Sequence, residues 1–264
     1  LDLPFCSSLA AHSVISLDLI FKFATYDQKN YYLKKMLKPD CISAICNSEE
    51  GAGTDLKKIK ATVDPIDQHH STVNLYKSCA TNASEADFIL ASAWVKSSTS
   101  KDTLGVIILE KSEWSSWSLQ QELMGFRTGI TGGINVKNLK ISIQERLLTA
   151  PNEKYGNVAI LKRCFDMERL FLGVMVSGML AAIEEETITL IKNKELEGFK
   201  YSDKQYLQEK LVEIYSIRTS IQMIVEQVLL EEKFNLQNYS KELSLLKILI
   251  NEKAVQAVIN HFEL

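Results

Sequence analysis

The sequence predicts an α+β protein. N-terminal helices over residues 1–42 lead into a β-rich middle stretch over 43–148, and a C-terminal helical bundle follows over 149–264. Three observations predict it. Apolar residues recur at helical spacing near the N-terminus, short apolar runs punctuated by turn residues fill the middle, and long helical periodicities return beyond Pro151-Asn152.

In the first segment, Leu19, Ile20 and Phe23 are followed by Tyr31, Tyr32 and Leu33 beyond a polar break at Asp27-Gln28. The middle segment carries the strand-like runs Phe88-Ile89-Leu90-Ala91, Leu104 to Leu109 and Ile134 to Ile143. Most of the eleven glycines fall there, as antiparallel connections require. The last segment divides into helices expected over 157–193, 203–232 and 239–262.

The first long helix is the most informative. Steps of three and four residues from Val158 give Leu161, Phe165, Glu168, Leu172, Val176, Met179 and Ile183, a stripe with Glu168 as its only charged member. This face is expected to be buried. A carboxylate there pays a desolvation cost that raises its proton affinity, which suits a general base held away from water. The same position suits a structural ion pair, for instance with Arg218, and spacing alone leaves both open.

Composition narrows the function classes. Thirty Lys and Arg against 33 Asp and Glu give a formal net charge of −3, so neither nucleic acid nor an anionic membrane is expected as a partner. Five cysteines at irregular spacing, with no Cys-x-x-Cys pair, fit neither a disulfide framework nor a zinc site; a cytoplasmic protein is expected. The apolar run around Phe171–Ile183 is too short to span a bilayer, and the N-terminus lacks a basic n-region. The first residue is Leu1 and the last lies in a helical pattern, so both ends of a longer protein are expected to be missing. His69-His70 beside Asp67 lacks further ligands at metal-binding spacing, so no metal is expected. His12 is expected to be a satisfied interior histidine.

Several short motifs follow one another in a set order. Ser48-Glu49-Glu50-Gly51-Ala52-Gly53-Thr54 is a glycine-bearing loop with hydroxyls at both ends. Lys77-Ser78-Cys79-Ala80-Thr81-Asn82 comes next, then Met124-Gly125-Phe126-Arg127, and finally Phe165-Asp166-Met167-Glu168-Arg169. With Asp27-Gln28-Lys29 and Tyr32-Leu33, this series resembles the acyl-CoA dehydrogenase family over nearly the whole chain. Ser48 to Thr54 looks like the family's Thr-Glu-Pro-Gly-Ala-Gly-Ser loop, and Cys79-Ala80-Thr81 its aromatic-Ile-Thr segment beside the flavin.

The resemblance implies N-terminal helices, a β-barrel-like central domain and a C-terminal helical bundle. It implies an FAD-dependent oxidoreductase, acting on CH–CH or CH–NH, that removes hydrogen from an acyl thioester on CoA or on a carrier protein. Ile45, Asn47, Ser48, Gly53, Thr54, Cys79, Ala80 and Thr81 would line the cofactor, and Thr54, Asp166 and Arg169 the substrate path. Glu168, immediately before Arg169, matches the position at which a minority of the family, isovaleryl-type and long-chain enzymes among them, carries its base. Most members carry the base nearer the C-terminus. Lys194 and Gln205 stand where the family has an Arg and a Gln that reach the partner subunit's FAD, implying a homodimer or homotetramer.

Two substitutions depart from the family. Cys79 replaces the aromatic that stacks on the flavin, and Lys194 replaces an Arg fork by a point charge. The pattern looks more like members acting on carrier-tethered acyl groups in secondary metabolism, such as prolyl- or aminoacyl-carrier dehydrogenases. A second reading is a degenerate flavin-fold protein that binds an acyl carrier or another partner without redox chemistry.

Overall fold

The computed structural model describes residues 2–97, 99–119, 123–150, 156–196, 198–231 and 235–263. These residues form two compact units, 2–164 and 165–264. The expected break at Pro151-Asn152 lies outside the described residues.

The first unit opens on a helical run made of α1 (Leu3–Ala10), a π-helical turn (Ala11–Ser16) and α2 (Leu17–Phe23). By length and composition Leu3–Phe23 passes as a membrane span, with a mean hydropathy of 1.4. Here, however, Ile15, Leu19, Ile20 and Phe23 are buried in the unit's core. Asp18 receives both Nε and an Nη of the buried Arg163 at 2.8 and 2.7 Å. The chain breaks at Ala24 and Thr25, not at Asp27-Gln28 as the polarity of that pair implies. Thr25 caps α3 (Tyr26–Met36) and forms a capping box with Gln28, which places both polar residues in the first helical turn. The Gln28 amide nitrogen continues to the carbonyls of Glu145 and Leu147 at 2.9 and 3.3 Å, tying α3 to the end of the sheet.

The sheet comprises β1 (Ser43–Cys46), β2 (Thr62–Pro65), β3 (His70–Ala80), β4 (Phe88–Val95), β5 (Thr103–Glu110), β6 (Ser115–Ser118), β7 (Gly132–Ser142) and, after the short helix α4 (Ile143–Arg146), β8 (Leu147–Leu148). Its order is β6-β7-β3-β2-β4-β5-β8, with β1 also on β4. Most pairings are antiparallel, as the glycine-rich turns imply, but β1 and β2 both run parallel to β4. β4, with these parallel neighbours, is buried on both faces and reads as a nearly continuous apolar run; β5 is antiparallel to both its neighbours and is buried along most of its length as well. β3 alternates instead, with Val73, Leu75 and Lys77 inward.

The second unit is built on α5 (Val158–Asn193), whose first turns belong to the first unit. A small hairpin of β9 (Glu195–Leu196) and β10 (Phe199–Lys200) leads to α6 (Gln205–Leu229), α7 (Ser240–Ile248), a π-turn over Leu249–Ala254, and α8 (Val255–Phe262). α6 buries Leu207, Ile214, Ile217, Ile221, Val225 and Val228, the heptad-like face expected of a bundle helix. Gly173 of α5 lets Val225 and Leu246 approach closely: an added Cβ would stand 2.7 Å from a methyl of each. Arg218 donates to Glu184 at 2.6 Å, and His261 Nδ1 lies 2.8 Å from the Thr187 hydroxyl, so polar contacts also join α6 and α8 to α5.

The expected buried stripe of α5 requires a correction. Of its eight positions only Leu161 is buried; Val158 is exposed and the other six are half-buried. Below the first turn, the buried face runs instead through Arg163, Asp166, Leu170, Gly173, Leu180, Thr187 and Ile191. Its polar members are satisfied by specific partners, which an apolar count cannot register.

Candidate functional site

Two groups of the candidate residues are assembled, one in each unit. In the first unit, β1 ends at Cys46 and the chain turns through Asn47 and Ser48 into the glycine-bearing loop. An isolated bridge joins Ser48 to Cys79, and the Ser78 amide donates to the Ser48 carbonyl at 3.0 Å. Glu49 and Ala52 exchange hydrogen bonds of 3.1 and 3.0 Å, closing the loop around Gly51 at φ +81°. The structure thus brings Ile45, Asn47 and Ser48 together with Cys79, Ala80 and Thr81, and places exposed Gly53 and Thr54 at the loop's exit.

This surface can receive a flat, heteroatom-rich ligand. Nothing lies within 4 Å of where Cβ atoms would project from Gly51 and Gly53. Cys79 is exposed, Ser48 and Thr81 are half-buried, and the Asn47 side chain lies 3.7 Å from Cys164 Sγ. Partial burial raises the Cys79 thiol above its ordinary value, and full burial pushes Cys46 up to about 12.

Beneath the loop lies a feature that the motif reading passed over. Lys77 is fully buried; its ammonium donates to Glu49 Oε1 at 2.7 Å, the Asn47 carbonyl at 3.1 Å and Ser92 Oγ at 3.2 Å. Burial lowers its proton affinity, and the bond to Glu49 opposes that shift. The signal was present in the alternation Val73, Leu75, Lys77, which places the lysine on the inward face.

In the second unit, Asp166, Glu168 and Arg169 share one turn of α5. Asp166 is buried and accepts from Arg169 at 3.0 Å and from Ser240 at 3.3 Å, so Arg169 carries the more accessible polar group of the two. Glu168 is not enclosed by apolar neighbours as the stripe implies. Its side chain is 45% exposed and lies 3.4 Å from the Lys247 ammonium. Arg218 serves Glu184 instead. Lys194 and Gln205 are exposed beyond the far end of α5, about 40 Å from Glu168 at 1.5 Å per helical residue. The structure does not bring these two to the Glu168 turn; the Lys194 ammonium sits 4.8 Å from the Tyr201 ring centroid.

The other candidates have structural partners. His12 Nδ1 accepts from the Ser43 amide at 3.1 Å and Nε2 faces the Met36 carbonyl at 3.3 Å, which selects the tautomer protonated on Nε2. His70 pairs with Asp67, whose carboxyl is held down at about 2 chiefly by the backbone amides of His69 and His70. No cluster of three metal-ligating side chains occurs among the described residues.

Comparison with known proteins shows what the chain is similar to. Residues 156–264 match the acyl-CoA dehydrogenase C-terminal domain. Isovaleryl-CoA dehydrogenase of Arabidopsis thaliana is 25% identical over 224 residues, 84% of this chain and 53% of that protein. The crystal structure of the prolyl acyl carrier protein oxidase AnaB superposes with a TM-score of 0.86 at 24% identity, over 99% of this chain and 68% of that one. PigA with FAD and proline superposes with a TM-score of 0.84 at 18% identity, over 99% and 67%. The chain spans about half the length of the curated relatives it matches. The chain is thus similar to acyl-CoA dehydrogenases: residues 156–264 match that family's C-terminal domain, and the chain has an acyl-CoA dehydrogenase-like α+β fold.

Proposed function

We propose that the complete protein is an FAD-dependent oxidoreductase that dehydrogenates an acyl thioester carried on CoA or on a carrier protein. The observation that carries this reading is the junction of the Ser48–Thr54 loop with Cys79–Thr81, two separate family motifs joined by the Ser48–Cys79 bridge. The open space before Gly51 and Gly53 and the half-buried hydroxyls of Ser48 and Thr81 suit a flavin edge. The FAD in a PigA structure of the same fold supports the cofactor, and AnaB, named for a prolyl carrier protein, supports a tethered substrate.

In this reading bound FAD supplies the hydride acceptor. Glu168 takes the proton α to the thioester carbonyl, leaving the electron pair to form the new double bond as the β-hydride departs. Its half-exposed position leaves one side of the carboxylate open to a substrate. Arg169, oriented by buried Asp166, guides the thioester arm. Lys194 and Gln205, beyond the far end of α5, serve the cofactor of a second subunit in a homodimer or homotetramer. The base assignment rests on the resemblance of Glu168-Arg169 to the position at which isovaleryl-type members of the family carry their base.

The test is to purify the full-length protein, record its visible spectrum, and incubate it with candidate acyl-CoA and acyl-carrier thioesters under mass detection. Flavin absorbance and loss of a hydrogen pair from a thioester are expected. A colourless protein that cannot be reconstituted with FAD would sink the reading.

A further inference from the structure

The Lys77–Glu49 pair is more elaborate than packing requires. All three ammonium protons are used, on the end of β1, on the loop and on buried Ser92 of β4. Both carboxylate oxygens are also held: Oε2 accepts from the Lys60 amide at 2.7 Å and Oε1 from the Ala61 amide at 3.2 Å. Charges buried this way are costly to desolvate, and an apolar pair of like volume often serves stability as well. What an apolar pair cannot do is bind the Asn47 carbonyl, the loop and the Lys60-Ala61 backbone to one point. Those segments flank the open surface at Gly51 and Gly53.

We propose that Lys77 and Glu49 are positioning residues for the cofactor, a buried clamp that holds the Asn47–Gly53 loop against β3 in its ligand-ready shape. The proposal rests on the reading of this loop as flavin-contacting. A preformed loop spares the ordering entropy that a mobile one loses on binding, so the clamp acts on affinity more than on the fold.

The experiment compares the full-length wild type with Lys77→Met/Glu49→Gln, which removes both charges at nearly constant volume. FAD affinity is read by flavin fluorescence, apo-protein stability by thermal melting, and local order by amide hydrogen exchange. The expected result is a folded variant whose FAD affinity falls about tenfold or more. The amides of Ala52, Lys60 and Ala61 lose protection while those of Ile89, Leu90, Ile107 and Ile108 in the sheet core keep theirs.

Unchanged FAD affinity overturns the proposal. So does a uniform loss of protection with a matching fall in melting temperature, which marks a plain fold role. If the double variant does not fold, Glu49→Gln alone is read the same way, and its failure to fold also overturns the clamp. A wild type that binds no FAD sinks the site reading itself, and the clamp with it, whatever the variants do.

Discussion

The Glu168 carboxylate stands 3.4 Å from the Lys247 ammonium, bridging α5 and α7 with both side chains part-exposed. A pair this accessible contributes less than about 1 kcal/mol, because water screens the charges and both chains lose freedom. Lys247→Met is therefore expected to shift the urea midpoint only slightly. Glu168→Gln preserves volume and some hydrogen bonding but removes the base. If Glu168 takes the α-proton, turnover falls at least ~10²-fold while the protein stays folded and keeps its flavin. A flavin-loaded Glu168→Gln enzyme with near-normal turnover would move the base elsewhere.

Cys79 is the exposed thiol at the candidate flavin face, whereas Cys41, Cys46 and Cys164 are buried. Its thiol is raised by partial burial, so little thiolate exists at neutral pH. Iodoacetamide is expected to label Cys79 slowly at pH 7 and faster as pH rises, while Cys46, pushed up to about 12, stays unlabelled in the folded state. Peptide mapping by mass spectrometry reads both sites. Saturating FAD is expected to suppress the Cys79 signal; labelling that ignores FAD would place the isoalloxazine away from this sulfur.

Trp117 lies against the backbone of Gly133, its cross-strand partner in the β6–β7 ladder, and stacks on Tyr76 with ring centroids 5.1 Å apart. A Cβ on Gly133 would meet the indole ring at 2.0 Å. To admit that methyl the ring must shift by more than 1 Å from its place against Tyr76. Gly133→Ala is expected to cost on the order of 1–3 kcal/mol and to shift the tryptophan emission to the red. An unchanged melt and emission spectrum would show that the indole moves at no cost.

The α+β class was legible because it depends on local period. Alternation in β3, apolar runs in β4 and β5, and three-to-four spacing in α6 each follow from the geometry of the element that carries them. The helix expected over 157–193 appears as Val158–Asn193 for the same reason. The break expected at Asp27-Gln28 fell elsewhere because polarity alone cannot distinguish a loop from a first helical turn whose Gln caps it.

The motif order also placed Ser48 and Cys79 in one candidate site, and the Ser48–Cys79 bridge brings them together. The environment of Glu168 was not legible. The sequence shows an apolar stripe around it, but burial is decided by which face meets a neighbour. On α5 that face carries Arg163, Asp166 and Thr187, made tolerable by Asp18, by Arg169 and Ser240, and by His261. Lys77 teaches the same lesson in the sheet, since its partner Glu49 is 28 residues away in the chain. By itself the sequence determined the elements and the order of the motifs, because these follow from the spacing of side chains along one chain. Only the tertiary structure decided which charges are buried, because a buried charge is stable only beside partners that the fold brings from elsewhere.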